Sequence, residues 1–310
     1  MNSIRLKSFA KINLALDVTG ILENGYHELE MVMQQLDLHD EVLVRWIEDK
    51  GEGIRIELKT NRSFLPTDEK NIAYKAAMVM AERFGADRHG IIRIDIGKNI
   101  PVAAGLAGGS GNGGAVLLAI NSLWNLKLTF AELMELGKLL GADVPFTMMG
   151  MARCNSELPG YIKEDEMAAS AALATYDGTE LKPVRPLDAY VVLSKPPISV
   201  STKVVYQGID GVDIPKRPDV KEIVVALEKQ NTTIVAEKML NVLEFYTAFK
   251  YNFIMDTINK AKQCEGTLGA MMSGSGPTVF SIMESFEHAK KAEEIMSGVN
   301  RETYLTHTTI

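Results

Sequence analysis

Pro101-Val-Ala-Ala-Gly-Leu-Ala-Gly-Gly-Ser-Gly-Asn-Gly-Gly-Ala115, running without a break into Val116-Leu-Leu-Ala-Ile120, is the most informative run in the chain. Glycines at 105, 108, 109, 111, 113 and 114 raise the entropy lost on ordering the segment, and few side chains are present to offset it by packing. What the segment offers is backbone. A glycine loop that opens directly into a helix presents successive amide N–H groups and a positive helix end, which together cradle phosphate oxygens. Ser110 adds a hydroxyl. The segment lacks the Lys-Ser/Thr ending of a P-loop and the strict GxGxxG spacing followed by a ribose-binding acid. Taken alone it also reads as a flexible linker; the flanking strand and helix patterns favour the phosphate loop.

Working outward, Ile92, Ile94 and Ile96 alternate as a strand before the loop, and Asn71 to Phe84 carries a helical apolar face of Ile72, Ala76, Val79 and Met80. Earlier still, Ile4, Leu6, Ser8, Ala10, Ile12, Leu14, Leu16 and Val18 would line one face of a strand or bent strand pair, with Lys11 and Asn13 on the other. Gly20 and Asn24-Gly25 supply turn chemistry before a further strand from Leu29 to Leu38, and Val42, Val44 and Trp46, then Ile54, Ile56 and Leu58, alternate again. After the loop, Thr129 and Glu132 form a capping box for a helix reaching Leu140 and stopped by Gly141. Arg153 to Lys182 reads as an excursion with one short helix. A short strand follows at Ala189 to Leu193, a helix after Ser199 to Thr202, and mainly helix from Asp219 to Tyr251. A strand, tight turn and strand then run from Leu268 to Met283, before a last helix from Phe286 to Met296. The expected domains are 1–193 and 194–310.

Composition narrows the functional classes. Of the 310 residues, 46% are hydrophobic and 24% charged, as in globular proteins rather than disordered ones. The net charge of −7 disfavours nucleic acid, whose binding relies on Lys and Arg contacts to phosphates. No apolar run suits a membrane span and no signal pattern follows Met1, so a cytoplasmic location is expected. Cys154 and Cys264 lie far apart without CxxC spacing, which argues against a zinc site or a disulfide framework. From the residues alone, Asp143 in Gly141-Ala-Asp-Val-Pro-Phe146 is a helix-end turn former and Lys11 a surface lysine.

In combination the motifs resemble the GHMP kinase superfamily. The matching segments are Ala10-Lys-Ile-Asn-Leu14, Gly20 with Gly25-Tyr-His27, Pro101 to Asn112, Leu140 to Phe146, Ser199-Val-Ser-Thr202 and Met272-Ser-Gly-Ser-Gly-Pro-Thr-Val-Phe280, in the family's order along most of the chain. The resemblance implies an α+β, two-domain kinase. Its N-terminal mixed β/α domain would have the left-handed β-α-β topology of a ribosomal-protein-like fold, and its C-terminal domain would be ferredoxin-like. It further implies ATP and Mg²⁺, with Pro101, Ala104, Gly105, Leu106, Ala107, Gly108, Gly109, Ser110, Gly111 and Asn112 on the nucleotide and Ser110 on the metal. By the same resemblance Asp143 is the base and Lys11 sits beside it. Asn13, Tyr26, His27, Asp143, Tyr190, Gly274 and Ser275 would bind the acceptor. For the branch marked by Gly25-Tyr-His27 and Gly141 to Phe146, that acceptor is a cytidine diphosphate-linked polyol, read by the ring of Tyr26 and the polar edge of His27, with Tyr190 as the other wall. A monomer or weak homodimer is expected.

The chain departs from the family at Gly111, where a second Ser is usual, and at Gly113 and Gly114, where alanines are usual. These glycines are expected to loosen the helix by about 1 kcal/mol each, and Gly111→Ser to be tolerated and to tighten ATP. The 153–182 stretch is longer than the family's, ahead of Asp177-Gly-Thr-Glu-Leu181, which resembles its Gly-x-Gly-Glu-x-Leu segment. It is either a surface elaboration or a change to the cleft. Other readings are a GHMP kinase for a sugar, a mevalonate-like compound or homoserine, and a catalytically silent ligand-binding relative.

Overall fold

A computed structural model describes residues 2–310. Contacts gather the chain into two compact units that interleave along the sequence: the start through Ala10 with Leu38–Ile100 and Ala107–Ser170, and Lys11–Asp37 with Pro101–Leu106 and Ala171–Ile310. Two long strands, β1 (Ser3–Ile21) and β2 (His27–Glu48), run through both. The alternation expected for β1 holds only at its start, because from Ser8 to Val18 every residue is buried, Lys11 and Asn13 included.

In the first unit the end of β2 pairs antiparallel with β4 (Gly90–Gly97), and β3 (Ile54–Thr60) runs parallel to β4. Helix α1 (Ile72–Phe84) lies between β3 and β4 in sequence, and Asn71 caps it by accepting from the Ala73 N–H. Helices α2 (Gly108–Leu123), α3 (Phe130–Lys138), α4 (Asp143–Cys154) and the single turn α5 (Gly160–Lys163) follow. The capping box of Thr129 and Glu132 is present at α3.

The glycines of α2 are packing sites. A Cβ on Gly113 would meet Ile72 Cγ2 at 2.6 Å, and one on Gly114 would meet Met148 Cγ at 2.6 Å, so α2 lies closer to α1 and α4 than alanine would permit. At Gly111 a Cβ would run into Ser8 Oγ, a buried hydroxyl with no hydrogen-bond partner. A serine at 111 therefore requires the Ser8 hydroxyl to shift, a cost that the expectation of ready tolerance did not include.

In the second unit, the alanine-rich part of the 153–182 stretch is strand β5 (Ala171–Thr175), paired with Met31–Gln34 of β2 and with β6 (Glu180–Pro183). Strand β7 (Tyr190–Lys195) leads to α6 (Thr202–Ile209), α7 (Val220–Glu228), α8 (Thr232–Lys238) and the two-residue β8 (Leu240–Asn241), which pairs in parallel with Ala15 and Leu16. Then come α9 (Leu243–Lys250), α10 (Asn252–Lys262), β9 (Thr267–Met272), β10 (Val279–Met283), α11 (Phe286–Ser297) and β11 (Glu302–His307). An antiparallel sheet in the order β11-β7-β10-β9 carries α10 and α11. No helix among the described residues is long and apolar enough to cross a membrane.

Candidate active site

The first unit holds the glycine-rich start of α2. Ala107, the residue before α2, is left-handed (φ 56°), gives no side-chain cap, and is followed by no acid in the first helical turn. The earliest N–H to bond within the helix is that of Gly111, to Ala107 O at 2.9 Å. The N–H groups of Gly108, Gly109 and Ser110 therefore lie in the turn where an α-helix has no internal acceptors. A Cβ on Gly108 would come within 3.1 Å of Lys98 Nζ, so an ammonium stands at this helix end. Lys98 is paired with Asp40, which is fully buried and also accepts from the N–H groups of Asn99 (2.7 Å) and Ile100 (2.8 Å). Asp40 thereby fixes the approach to the loop from both side chain and backbone. These features fit a triphosphate.

No cluster of three or more His, Cys, Asp or Glu able to hold a metal occurs among the described residues. Of the residues at this helix start, Ser110 offers the hydroxyl that would hold a magnesium ion. Asp143 is the first residue of α4 rather than a turn after α3. Behind it, every residue from Val144 to Ala152 is buried. The carboxylate is thus carried on a rigid, fully packed helix.

The second unit contains a backbone-lined corner. Lys11 is only 5% exposed, which excludes the surface-lysine reading, and its Nζ donates to Asn13 Oδ1 at 2.8 Å. Its own N–H donates to Leu106 O at 3.1 Å. Ser273 Oγ donates to Gly105 O at 3.0 Å. Gly274 has φ 55°, and a Cβ there would lie 3.6 Å from both Lys11 Nζ and Asn13 Oδ1, and 3.2 Å from Gly105 O. Glycine is favoured here by the left-handed φ and the close approach to Gly105 O, and it leaves the turn's backbone facing the lysine. Ser275 Oγ is 2.9 Å from Thr202 Oγ1.

Two residues absent from the sequence reading hold that turn. Asn241, 2% exposed, donates to Met272 O (3.0 Å) and Gly274 O (2.7 Å) while accepting from the Leu243 N–H at 3.0 Å. Glu244 accepts from the Met272 N–H at 2.8 Å. Burial pushes the Glu244 carboxyl up from the ordinary glutamate range, opposed by that N–H and by the charge of Lys262. An Asn-x-x-Glu spacing at Asn241-Val-Leu-Glu244 was the available signal.

Tyr26 is 68% exposed, and beside it the His27 ring lies 5.1 Å from that of Tyr206, tilted by 37°. His27 Nε2 is 2.7 Å from Asp210 Oδ1. Tyr190 is elsewhere. It opens β7 opposite Met283 and His307, packed on Phe286 and His307, whereas Ser194 is the residue opposite Val279, just past the Gly274 turn. Four strand residues, about 13 Å, separate the two positions. The aromatic partner of His27 is Tyr206, and Tyr190 is corrected to a sheet-end packing residue.

The models for the GHMP kinases N terminal domain and the GHMP kinases C terminal domain match residues 71–151 and 223–301. The chain belongs to the GHMP kinase family. Among its relatives, the 4-diphosphocytidyl-2-C-methyl-D-erythritol kinase of Alkaliphilus oremlandii is 45% identical, covering 99% of this chain and 97% of that one. The protein of the same name from Alkaliphilus metalliredigens is 43% identical with the same coverage. A solved 4-(cytidine 5'-diphospho)-2C-methyl-D-erythritol kinase superposes with a TM-score of 0.79 at 27% identity, over 99% of this chain and 100% of that one. A homoserine kinase from Cytophaga hutchinsonii, 21% identical with a TM-score of 0.70 over 100% and 95% of the two chains, shares the fold.

Proposed function

We propose that this ATP-dependent small-molecule kinase phosphorylates the 2-hydroxyl of 4-diphosphocytidyl-2-C-methyl-D-erythritol, giving the 2-phosphate and ADP in non-mevalonate isoprenoid biosynthesis. The observation that carries this reading is the 45% identity over 99% of the chain to a relative bearing that name. A domain boundary near Ser194 belongs to this reading, supported by its lying between the two family matches.

In this account the N–H groups of Gly108, Gly109 and Ser110 hold the phosphates, with Lys98 adding charge at the same helix end. The Ser110 hydroxyl would hold magnesium, which when bound would supply charge neutralisation at the transferring group. Asp143 accepts the proton of the acceptor hydroxyl. Lys11, oriented through Asn13, stabilises negative charge on the attacking oxygen. The Gly274-Ser275 backbone approaches the acceptor because the turn carries no side chain toward Lys11. Tyr26 and Tyr206 provide faces for the cytosine and His27 a polar edge, a placement supported by the exposure of Tyr26 and the proximity of the His27 and Tyr206 rings.

The test is a panel of acceptors with ATP and Mg²⁺, scored by ADP release: the cytidine diphosphate-linked polyol, mevalonate, homoserine and a hexose. Turnover confined to the cytidine-linked compound is expected. Efficient turnover of one of the others in its place would refute the substrate assignment.

A further inference from the structure

His27 has a partner that determines what its ring can read. Its side chain is 14% exposed, and its Nε2 lies 2.7 Å from a carboxylate oxygen of Asp210, the residue immediately after α6. Farther along the same segment, Arg217 donates to Asp17 and, at 2.8 Å, to Val18 O of β1. The segment is thus fastened to β2 at Asp210 and to β1 at Arg217. Asp210 is held where it is by more than its own side chain.

An ionised carboxylate only accepts hydrogen bonds, so the proton of this contact belongs to His27 Nε2. In a neutral imidazole the second nitrogen then presents a lone pair. We propose that Asp210 is a specificity-determining positioning residue: by keeping the proton on Nε2 it makes His27 Nδ1 an acceptor, which selects a base offering an amino group over one offering a carbonyl. The inference rests on the cytosine placement at Tyr26 and His27 given above. Cytosine puts its 4-amino group where uracil puts a carbonyl oxygen, and an oxygen facing Nδ1 leaves two lone pairs opposed. Without an acceptor at 210 the ring is free to carry its proton on Nδ1 and to donate to the uracil oxygen.

Two measurements on the full chain test this. The first is the ¹⁵N spectrum of histidine-labelled protein, in which the shifts of the two ring nitrogens report which one bears the proton. The chain has 5 histidines, so the His27 signals are assigned by their loss in His27→Gln. The second is kcat/KM for the cytidine-linked substrate and its uridine analogue in wild type, Asp210→Asn and Asp210→Ala.

The wild-type ring should carry its proton on Nε2. Asp210→Asn, whose amide oxygen still accepts, should keep both that tautomer and the base preference. Asp210→Ala should lower the cytidine-to-uridine ratio about tenfold, the scale of one mismatched hydrogen bond. A wild-type ring protonated on Nδ1, or an unchanged ratio in an active Asp210→Ala enzyme, would overturn the proposal, and the wild-type spectrum decides even if the alanine variant does not fold. A wild type that carries the Nε2 proton yet uses both bases equally would overturn the specificity role and leave the substrate reading standing, whereas turnover of neither nucleotide-linked compound would refute the substrate reading itself, so the two failures are told apart.

Discussion

Replacing Gly111 with alanine tests the packing of the phosphate-loop helix. By helix propensity alone the change should stabilise α2 by about 1 kcal/mol, since glycine is the poorer helix former by that amount. The structure opposes this. The new Cβ would lie 2.3 Å from Ser8 Oγ, and Ser8 is fully buried, so the hydroxyl must give way inside the packed interior. Overpacking of this kind costs about 1–3 kcal/mol, which leaves a net loss of up to about 2 kcal/mol after the propensity gain. Once Ser8→Ala removes the oxygen, the nearest remaining neighbours of that Cβ are Ser8 Cβ at 3.6 Å and Phe9 O at 3.7 Å, both ordinary contacts. In that background Gly111→Ala should stabilise by the propensity gain. A double-mutant cycle by urea denaturation, with nucleotide affinity measured by calorimetry on the same four proteins, gives the coupling. Equal stabilisation by Gly111→Ala in both backgrounds would refute the steric account.

Asp143→Asn should retain nucleotide binding while turnover falls by about 10² to 10⁴, the range for a positioned base; full turnover would assign the proton to another acceptor. Asn241→Ala leaves the Met272 and Gly274 carbonyls without their donor and should destabilise by about 1–3 kcal/mol, with a higher KM for the acceptor; an unchanged KM would separate the turn from acceptor binding. Because the folded-state pKa of Glu244 is raised, its contribution to stability is present while the carboxyl is protonated and declines as pH rises through the folded value. The stability of Glu244→Gln relative to wild type should therefore improve as pH climbs from acid toward neutral; a difference that moves the other way across a pH series of denaturation midpoints would contradict the burial assigned to this carboxyl.

Residues whose local chemistry is distinctive were legible in the sequence: the glycine loop before α2, the Thr129 capping box, and the glycines at the tight turn between β9 and β10. What escaped was set by tertiary context. Helix α4 has no amphipathic period because Val144 to Ala152 are buried on all sides, and β5 is alanine-rich yet becomes a strand by pairing with β2. Lys11 lies on the polar face of an alternating strand, but the strand is covered on both faces. The usefulness of Gly111 could not be read locally, since its reason is a hydroxyl more than a hundred positions away. The sequence pointed to Tyr190 as the second aromatic wall; the ring contact of Tyr206 with His27 and the strand register of Tyr190 are both set by the fold. The kinase class and the motif-bearing segments were accessible through resemblance, whereas Asn241 and Glu244, marked in the sequence only by their spacing, and Asp210 hold neighbours whose identity the fold sets.

The measurement that bears most directly on the substrate assignment is the ratio of kcat/KM for the cytidine diphosphate-linked polyol to that for the same polyol phosphate without its base, in wild type and in Tyr26→Ala. Stacking of a base on an aromatic face contributes about 1–3 kcal/mol, so the wild-type ratio should be at least about fivefold and should fall in the variant. Equal efficiency for the two acceptors in the wild type would contradict the account.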